Sequence, residues 1–149
     1  MIALPGPLGG FARGVGGDPE SRAAYREELL PLVGGLAEDP AAVAAYLRSA
    51  PLAVPLMGWT VDVIDGRHLD LRDRRHRGDR RRGRPTAFGS YTGIQTDGAF
   101  YWAECAADYV EHYHVALPAD FIEHGRSLGW TVPAVSEELL RALEEALVG

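Results

Sequence analysis

The chain contains no lysine, one cysteine and no apolar run long enough to cross a bilayer. Each shortage removes a class of explanation. Cys105 alone cannot form an intramolecular bridge, so a disulfide framework is excluded. The opening residues MIALPGPLGGF lack the basic and long apolar regions of a secretory signal, so a cytoplasmic location is expected. The stretch LAVPLMGWTVDVI is broken by Pro55, Gly58 and Asp62, whereas a membrane helix needs about 18 apolar residues in a row. No membrane contact is therefore expected. Gly10, Gly14, Gly16 and Gly17 lack the GxGxxG spacing, and they do not stand between a strand and a helix, which argues against a phosphate-cradling loop. That all fifteen basic residues are arginine, beside abundant Ala, Gly and Pro, points to a GC-rich bacterial genome and says nothing of function.

What is present is sufficient for a core. A chain of 149 residues, 46% hydrophobic, matches one domain and can bury enough apolar surface without metals or disulfides. Charge is distributed unevenly. Residues 1–71 carry nine acids against five arginines (net −4), residues 72–96 two against eight (+6), and residues 97–149 ten against two (−8), consistent with the overall −6. An acidic protein with one basic segment is suited to two kinds of charged contact rather than to general nucleic-acid binding.

The local signals predict an α+β fold in which a small antiparallel sheet of three to four strands is covered by N-terminal and C-terminal helices. Residues 1–17 read as an irregular N-terminal arm that either packs across the domain or stays mobile, and residues 18–149 as a single domain. Asp18-Pro19 and Asp39-Pro40 each place a capping carboxylate before a proline at the first helical position. Pro31 ends or kinks the first helix. The second carries the stripe Val43, Tyr46, Leu47 and Ala50 before Pro51 stops it. A strand is expected from Leu52 to Ile64, with Trp59, Val61 and Val63 alternating against Thr60, Asp62 and Ile64; a turn at Asp65-Gly66 and a return through His68 to Leu71 complete a hairpin. The segment 72–84 (RDRRHRGDRRRGR), from Arg72 to Arg84, has no apolar residue and reads as a mobile loop. Thr86, Phe88, Tyr91 and Ile94 form the next strand, Thr96-Asp97-Gly98 a turn, and Phe100, Tyr101 and Trp102 a short strand. Helices are expected over 103–113, from Leu117-Pro118 to a cap at Gly129, and from Ser136 onward with Leu139, Leu140, Leu143, Ala146 and Leu147 buried.

Chemistry concentrates in residues 96–124. Glu104, Asp108 and Glu111 recur at helical spacing and share a face, with His112 beside it. With Glu123, and with Tyr101 and Tyr109 if these reach the surface, they form an acidic and aromatic patch of the kind that grips a basic protein partner. The same carboxylates read equally as a solvated helix face. His112, His114 and His124 are the histidines close enough in sequence to propose as zinc or iron ligands, though HExxH spacing is lacking. Asp62 either faces solvent or is buried with a partner, and Asp97 is placed to support its turn through its own side chain. Cys105, among alanines, reads as a core residue more than as a nucleophile. The eight arginines of 72–84 offer salt-sensitive, sequence-blind attraction to nucleic acid, or are an insertion tolerated between strands. No cofactor is implied, and no catalytic set can be assigned.

The order TDG, then YW, then DYVEHYHVALPADFIEH resembles a signature of small uncharacterised bacterial proteins, in which a TDG turn, an aromatic strand, a Tyr-rich helix and an LPxxFIxH helix follow one another. The likeness extends weakly to VDVIDG at 61–66. In size and style the chain is also loosely similar to immunity proteins that neutralise toxins. The resemblance implies an immunity or accessory factor that acts by occupancy. The alternative from the residues themselves is a small hydrolase or isomerase using Glu, Asp or His as base or metal ligand.

Overall fold

The computed structural model describes residues 2–12, 19–56, 62–64 and 93–149. Asp18, the predicted turn at Asp65-Gly66, the return strand after it, the strand leading into Ile94 and the arginine-rich segment 72–84 lie outside the described residues.

The fold is α+β, with helices flanking a four-stranded sheet. Among the described residues the elements in chain order are β1 (Gly6–Pro7), a 3-10 turn (Gly9–Ala12), α1 (Pro19–Leu29) running into a second 3-10 turn (Leu30–Leu32), α2 (Pro40–Ser49), β2 (Leu52–Val54), β3 (Ile94–Thr96), β4 (Phe100–Ala103), α3 (Ala106–Tyr113), α4 (Ala119–Ser127) and α5 (Glu137–Val148). The sheet order is β1-β4-β3-β2. No helix among the described residues is long and apolar enough to cross a membrane.

The helix signals act where the sequence places them. Asp39 accepts from the Ala41 amide at 3.2 Å with Pro40 at the first helical position, and Ser136 accepts from Leu139 at 3.1 Å. Pro31 converts the end of α1 into a 3-10 turn. Gly129, at φ +62, follows α4 in the left-handed conformation that a glycine adopts without steric cost.

The sheet departs from a wholly antiparallel one at its β1 edge. β2–β3 and β3–β4 are antiparallel, but Gly6 and Pro7 of the arm lie parallel to Phe100 and Tyr101. Gly6 and Leu8 donate to the Ala99 and Tyr101 carbonyls at 3.0 and 2.9 Å, so Pro7, between them, occupies the outward position where no donor is required. Leu8 and Phe11 enter the core, and the Tyr25 hydroxyl donates to the Gly10 carbonyl at 3.0 Å. Of the two alternatives for the arm, its described residues take the packed one, and they supply a strand and the buried Pro5, Leu8 and Phe11.

Two further expectations change. Only Leu52–Val54 of the long predicted strand is extended among the described residues; Asp62 to Ile64 is a bend, closed by a 3.0 Å bond from the Ile64 amide to the Asp62 carboxylate. On α5, which packs on β2, Leu143 is buried and Leu139 and Leu140 are half-buried, while Ala146 and Leu147 are exposed.

The sheet also terminates α2. The last carbonyls of a helix have no partner within it, and here sheet side chains supply them: Gln95 donates to Ala50 at 2.9 Å and Arg48 at 3.3 Å, and the Trp102 indole to Leu47 at 3.3 Å. This docking carries Tyr46 onto the β3–β4 turn.

Candidate functional site

The β3–β4 turn is built around one fully buried carboxylate. Asp97 Oδ1 accepts from the Ala99 and Phe100 amides, both at 2.9 Å, which is the turn-supporting role its position predicts. Thr96 Oγ1 donates to the Phe100 carbonyl at 2.7 Å and accepts from Gly98 at 3.0 Å, with Gly98 at φ +98. Asp97 Oδ2 then receives the Tyr46 hydroxyl of α2 at 2.5 Å and lies 3.0 Å from His124 Nε2 of α4. Three elements meet on one side chain. Burial, and then the adjacent Asp97 carboxylate, push the Tyr46 phenol well above its usual range, so the hydroxyl stays protonated and donates.

The His124 side chain is 26% exposed, and its ring packs beside Phe100 and Phe121 at centroid separations of 5.5 and 6.5 Å. The aspartate of the TDG turn and the last histidine of the resemblance segment are therefore in direct contact. The arrangement holds a sheet turn to two helices, and it leaves one imidazole nitrogen outside the Asp97 contact.

The predicted acidic face is divided by the structure. Arg48 of α2 bonds to Asp108 at 3.1 Å and to Glu111 at 2.6 Å, so two of the four proposed docking carboxylates are committed to an internal cation. Burial acts to lower the Arg48 pKa, but the paired Glu111 and Asp108 outweigh it and hold the guanidinium charged. Glu104 lies over Gly93, where an added Cβ would stand 2.3 Å from its Oε1. Burial raises the Glu104 carboxyl, opposed by the Gly93 backbone and supported by nearby Asp108. Glu123 alone of the four is both exposed and without a cation among the described residues.

His112, His114 and His124 do not converge. His112 and His114 are exposed at the end of α3, with His114 in the left-handed conformation (φ 50), whereas His124 turns inward to Asp97. Among the described residues, the one group spaced to share a cation is Asp108, Glu111 and His112, whose ligand atoms lie within 4.8 Å of one another. Arg48 already bridges its two carboxylates.

Tyr109, which would join the patch only if it reached the surface, is buried; its hydroxyl accepts from the Val63 amide at 3.2 Å, and its ring meets Tyr25 edge-on at 6.2 Å. Tyr101 is half-buried on β4. Asp62 is buried and accepts from the Tyr113 hydroxyl. Cys105 is buried, and desolvation, with the charges of Asp108 and Glu104, pushes its thiol up to about 12, which removes it as a nucleophile at neutral pH.

Glu123 stands at the rim of a groove of about 450 Å³. One wall is Gly35 to Ala37; the other is Leu117, Ala119 and Ile122, with Glu123 and Arg126. The first wall is held by backbone bonds from Gly34 to Tyr113 (3.0 Å), Leu36 to His114 (3.0 Å) and Ala116 to Leu32 (2.8 Å). Gly34 has φ +76, and a Cβ on Gly35 would lie 2.9 Å from the Ala116 Cβ, so the two glycines permit the close approach. Arg126 is paired with Glu38 (Nε to Oε1 2.6 Å), and that hydrogen bond holds the Glu38 carboxyl below the usual range against a smaller desolvation effect.

Sequence reasoning did not find Tyr46 as a partner of Asp97, Arg48 as the cation between Asp108 and Glu111, or the Gly34–Gly35 wall. A tyrosine on an apolar stripe does signal a hydroxyl that needs a partner. The other two arise from packing between distant segments and leave no periodic trace. In comparisons with protein-family models, with curated proteins and with solved structures, no match to the chain was found.

Proposed function

We propose that this chain is a protein-binding module which docks a basic protein through an acidic surface, acting by occupancy as an immunity or accessory factor. The observation that carries the reading is the excess of uncommitted exposed carboxylates on the last two helices. Asp120 and Glu123 on α4 and Glu137, Glu138 and Glu145 on α5 are exposed, against two arginines, of which Arg126 is taken by Glu38. A surface of one sign accelerates encounter with an oppositely charged partner and discriminates against like-charged ones. The acidic surface so proposed lies on α4 and α5 rather than on the α3 face, whose charge Arg48 offsets.

The test is affinity capture with the purified chain at low and moderate salt, followed by titration of each captured protein in purified form. The expected partner is basic, binds in a defined stoichiometry, and loses at least about tenfold in affinity when Asp120 and Glu123 are both changed to arginine. Equal affinity of the charge-reversed variant, or no partner that survives purification, overturns the reading.

A second reading rests on the Asp97–His124 contact. A buried carboxylate behind a partly exposed imidazole can hold that ring in one tautomer and orientation, as a general base requires. It makes the chain a small hydrolase or isomerase; turnover on an ester or amide panel that His124→Gln removes without loss of fold supports it, and turnover unchanged in that variant refutes it. Contact with nucleic acid through Arg72 to Arg84 is the weakest reading, and unchanged salt-dependent binding after deletion of 72–84 would remove it.

A further inference from the structure

We infer that the groove between Gly35–Ala37 and α4 is an anchor site for a short segment of a basic partner, taking an aliphatic side chain into the groove and an adjacent arginine or lysine onto Glu123. This rests on the docking reading above and specifies its contact point.

Three observations converge on this occupant. The floor and walls are apolar, with Leu36, Ala37, Leu117 and Ile122 facing a space of about 450 Å³, large enough for more than one side chain. The wall facing α4 is fixed in place by the backbone bonds between residues 32–36 and 113–116, so binding does not require ordering a loop. The charges on the rim are not balanced. Arg126 and Glu38 neutralise one another, which leaves Glu123, of the residues lining the groove, exposed and without a cation among the described residues. An uncharged apolar ligand would leave this carboxylate unused, and an acidic one would meet it as a like charge. A side chain with an aliphatic stem and a cationic end, or an aliphatic residue next to one, uses both features.

The carboxylates at Asp108 and Glu111 do not compete for the same role, because Arg48 already occupies them. The groove contains no residue of α5, so the acids of that helix are not part of its lining.

The experiment is an amide-resolved NMR titration of the full chain with three capped hexapeptides: alternating leucine and arginine, alternating serine and arginine, and alternating leucine and glutamate. The leucine–arginine peptide is expected to shift amides of 35–37 and 117–126. It is expected to bind about tenfold more tightly than either comparison peptide, a ratio corresponding to one anchored side chain or one charge contact. Glu123→Gln should weaken it about fivefold, and Ala119→Arg, an exposed change that fills the groove mouth, at least tenfold; Glu138→Gln on α5 should leave it unchanged. Shifts centred on α5, or equal binding of the serine–arginine peptide, would overturn the groove while leaving acidic docking standing. Absence of binding by both arginine peptides overturns both. Shifts at the same amides on concentrating the chain alone identify a second copy as the occupant and also overturn the proposal.

Discussion

Asp97 shows how much can depend on one side chain. Its four contacts satisfy two backbone amides, a tyrosine hydroxyl and an imidazole around a carboxylate that is itself wholly buried. Asp97→Ala leaves all four without an acceptor and is expected to cost about 3–5 kcal/mol in urea unfolding. Tyr46→Phe, which removes a single donor, should cost about 1–2 kcal/mol. A smaller loss for Asp97→Ala than for Tyr46→Phe would mean that the turn does not depend on this carboxylate. Part of this was legible in the sequence: a Thr-Asp-Gly turn announces its aspartate, because the Asx bond is local. The partners Tyr46 and His124 lie 51 and 27 residues away, and no local rule selects them. Cys105 yields a prediction in pH. Its thiol is raised from an ordinary 9.0 to about 12 in the folded chain, so the unfolded chain releases this proton first. Stability is therefore full below about pH 9 and is lost as pH rises from there towards 12, with buried Tyr46 and Tyr109 acting in the same direction. Cys105→Ala should lower stability at pH 7 through lost packing, yet shrink the further loss between pH 9 and pH 10.5 in urea midpoints; an unchanged alkaline slope refutes the assignment.

At the scale of elements, the joints between helices are set by small residues and single ion pairs. Gly125 of α4 lies under the Trp130 ring, where an added Cβ would stand 2.1 Å from a ring carbon. Gly125→Ala must displace the indole, which packs at 5.5 Å on Tyr46 and donates to Glu38 at 3.2 Å, so a loss of about 1–3 kcal/mol is expected, with a change in tryptophan emission. Unaltered emission would show that the ring does not rest there. Between α2 and α3 the joint is apolar at its centre and ionic at its rim. Because the Arg48 pairs are partly exposed, Arg48→Ala should cost less than about 1 kcal/mol. The pairing itself is read from a double-mutant cycle with Glu111→Gln, where a coupling of about 0.2–1 kcal/mol is expected; no coupling would indicate that the Arg48–Glu111 pair is not formed in solution. Helix starts and stops were readable from Asp39-Pro40, Pro31, Ser136 and Gly129, because caps and breakers act within a few residues. The predicted burial of Ala146 and Leu147 was not, since periodicity identifies an apolar face but not how far the neighbouring surface extends.

For the molecule as a whole, the arm and the C-terminal half are one structure. β1 extends the sheet at β4, and Leu8 and Phe11 join Trp102, Tyr109 and Phe121 in the same core. Leu8→Ala is expected to destabilise by about 2–5 kcal/mol, the range for truncating a fully buried leucine, with a single cooperative transition retained. A loss below about 0.5 kcal/mol would show that the arm detaches in solution. The charge asymmetry also belongs to this scale. The −8 of residues 97–149 is a property of the sequence, but its usable part is what remains after Arg48 has paired with Asp108 and Glu111.

The sequence by itself determined the α+β class, the helix boundaries at capping residues and prolines, the turn at Asp97 and the sign of the charge on the C-terminal segment. Each of these follows from interactions spanning a few residues or from composition, so a linear reading contains them. Tertiary structure decided that the arm becomes a strand, that Tyr109 is buried, that Arg48 pairs with two of the four carboxylates of the proposed acidic face, and that Glu123 borders a groove. Those outcomes depend on which distant segments meet when apolar surface is buried, and the spacing of residues along a chain does not encode that pairing.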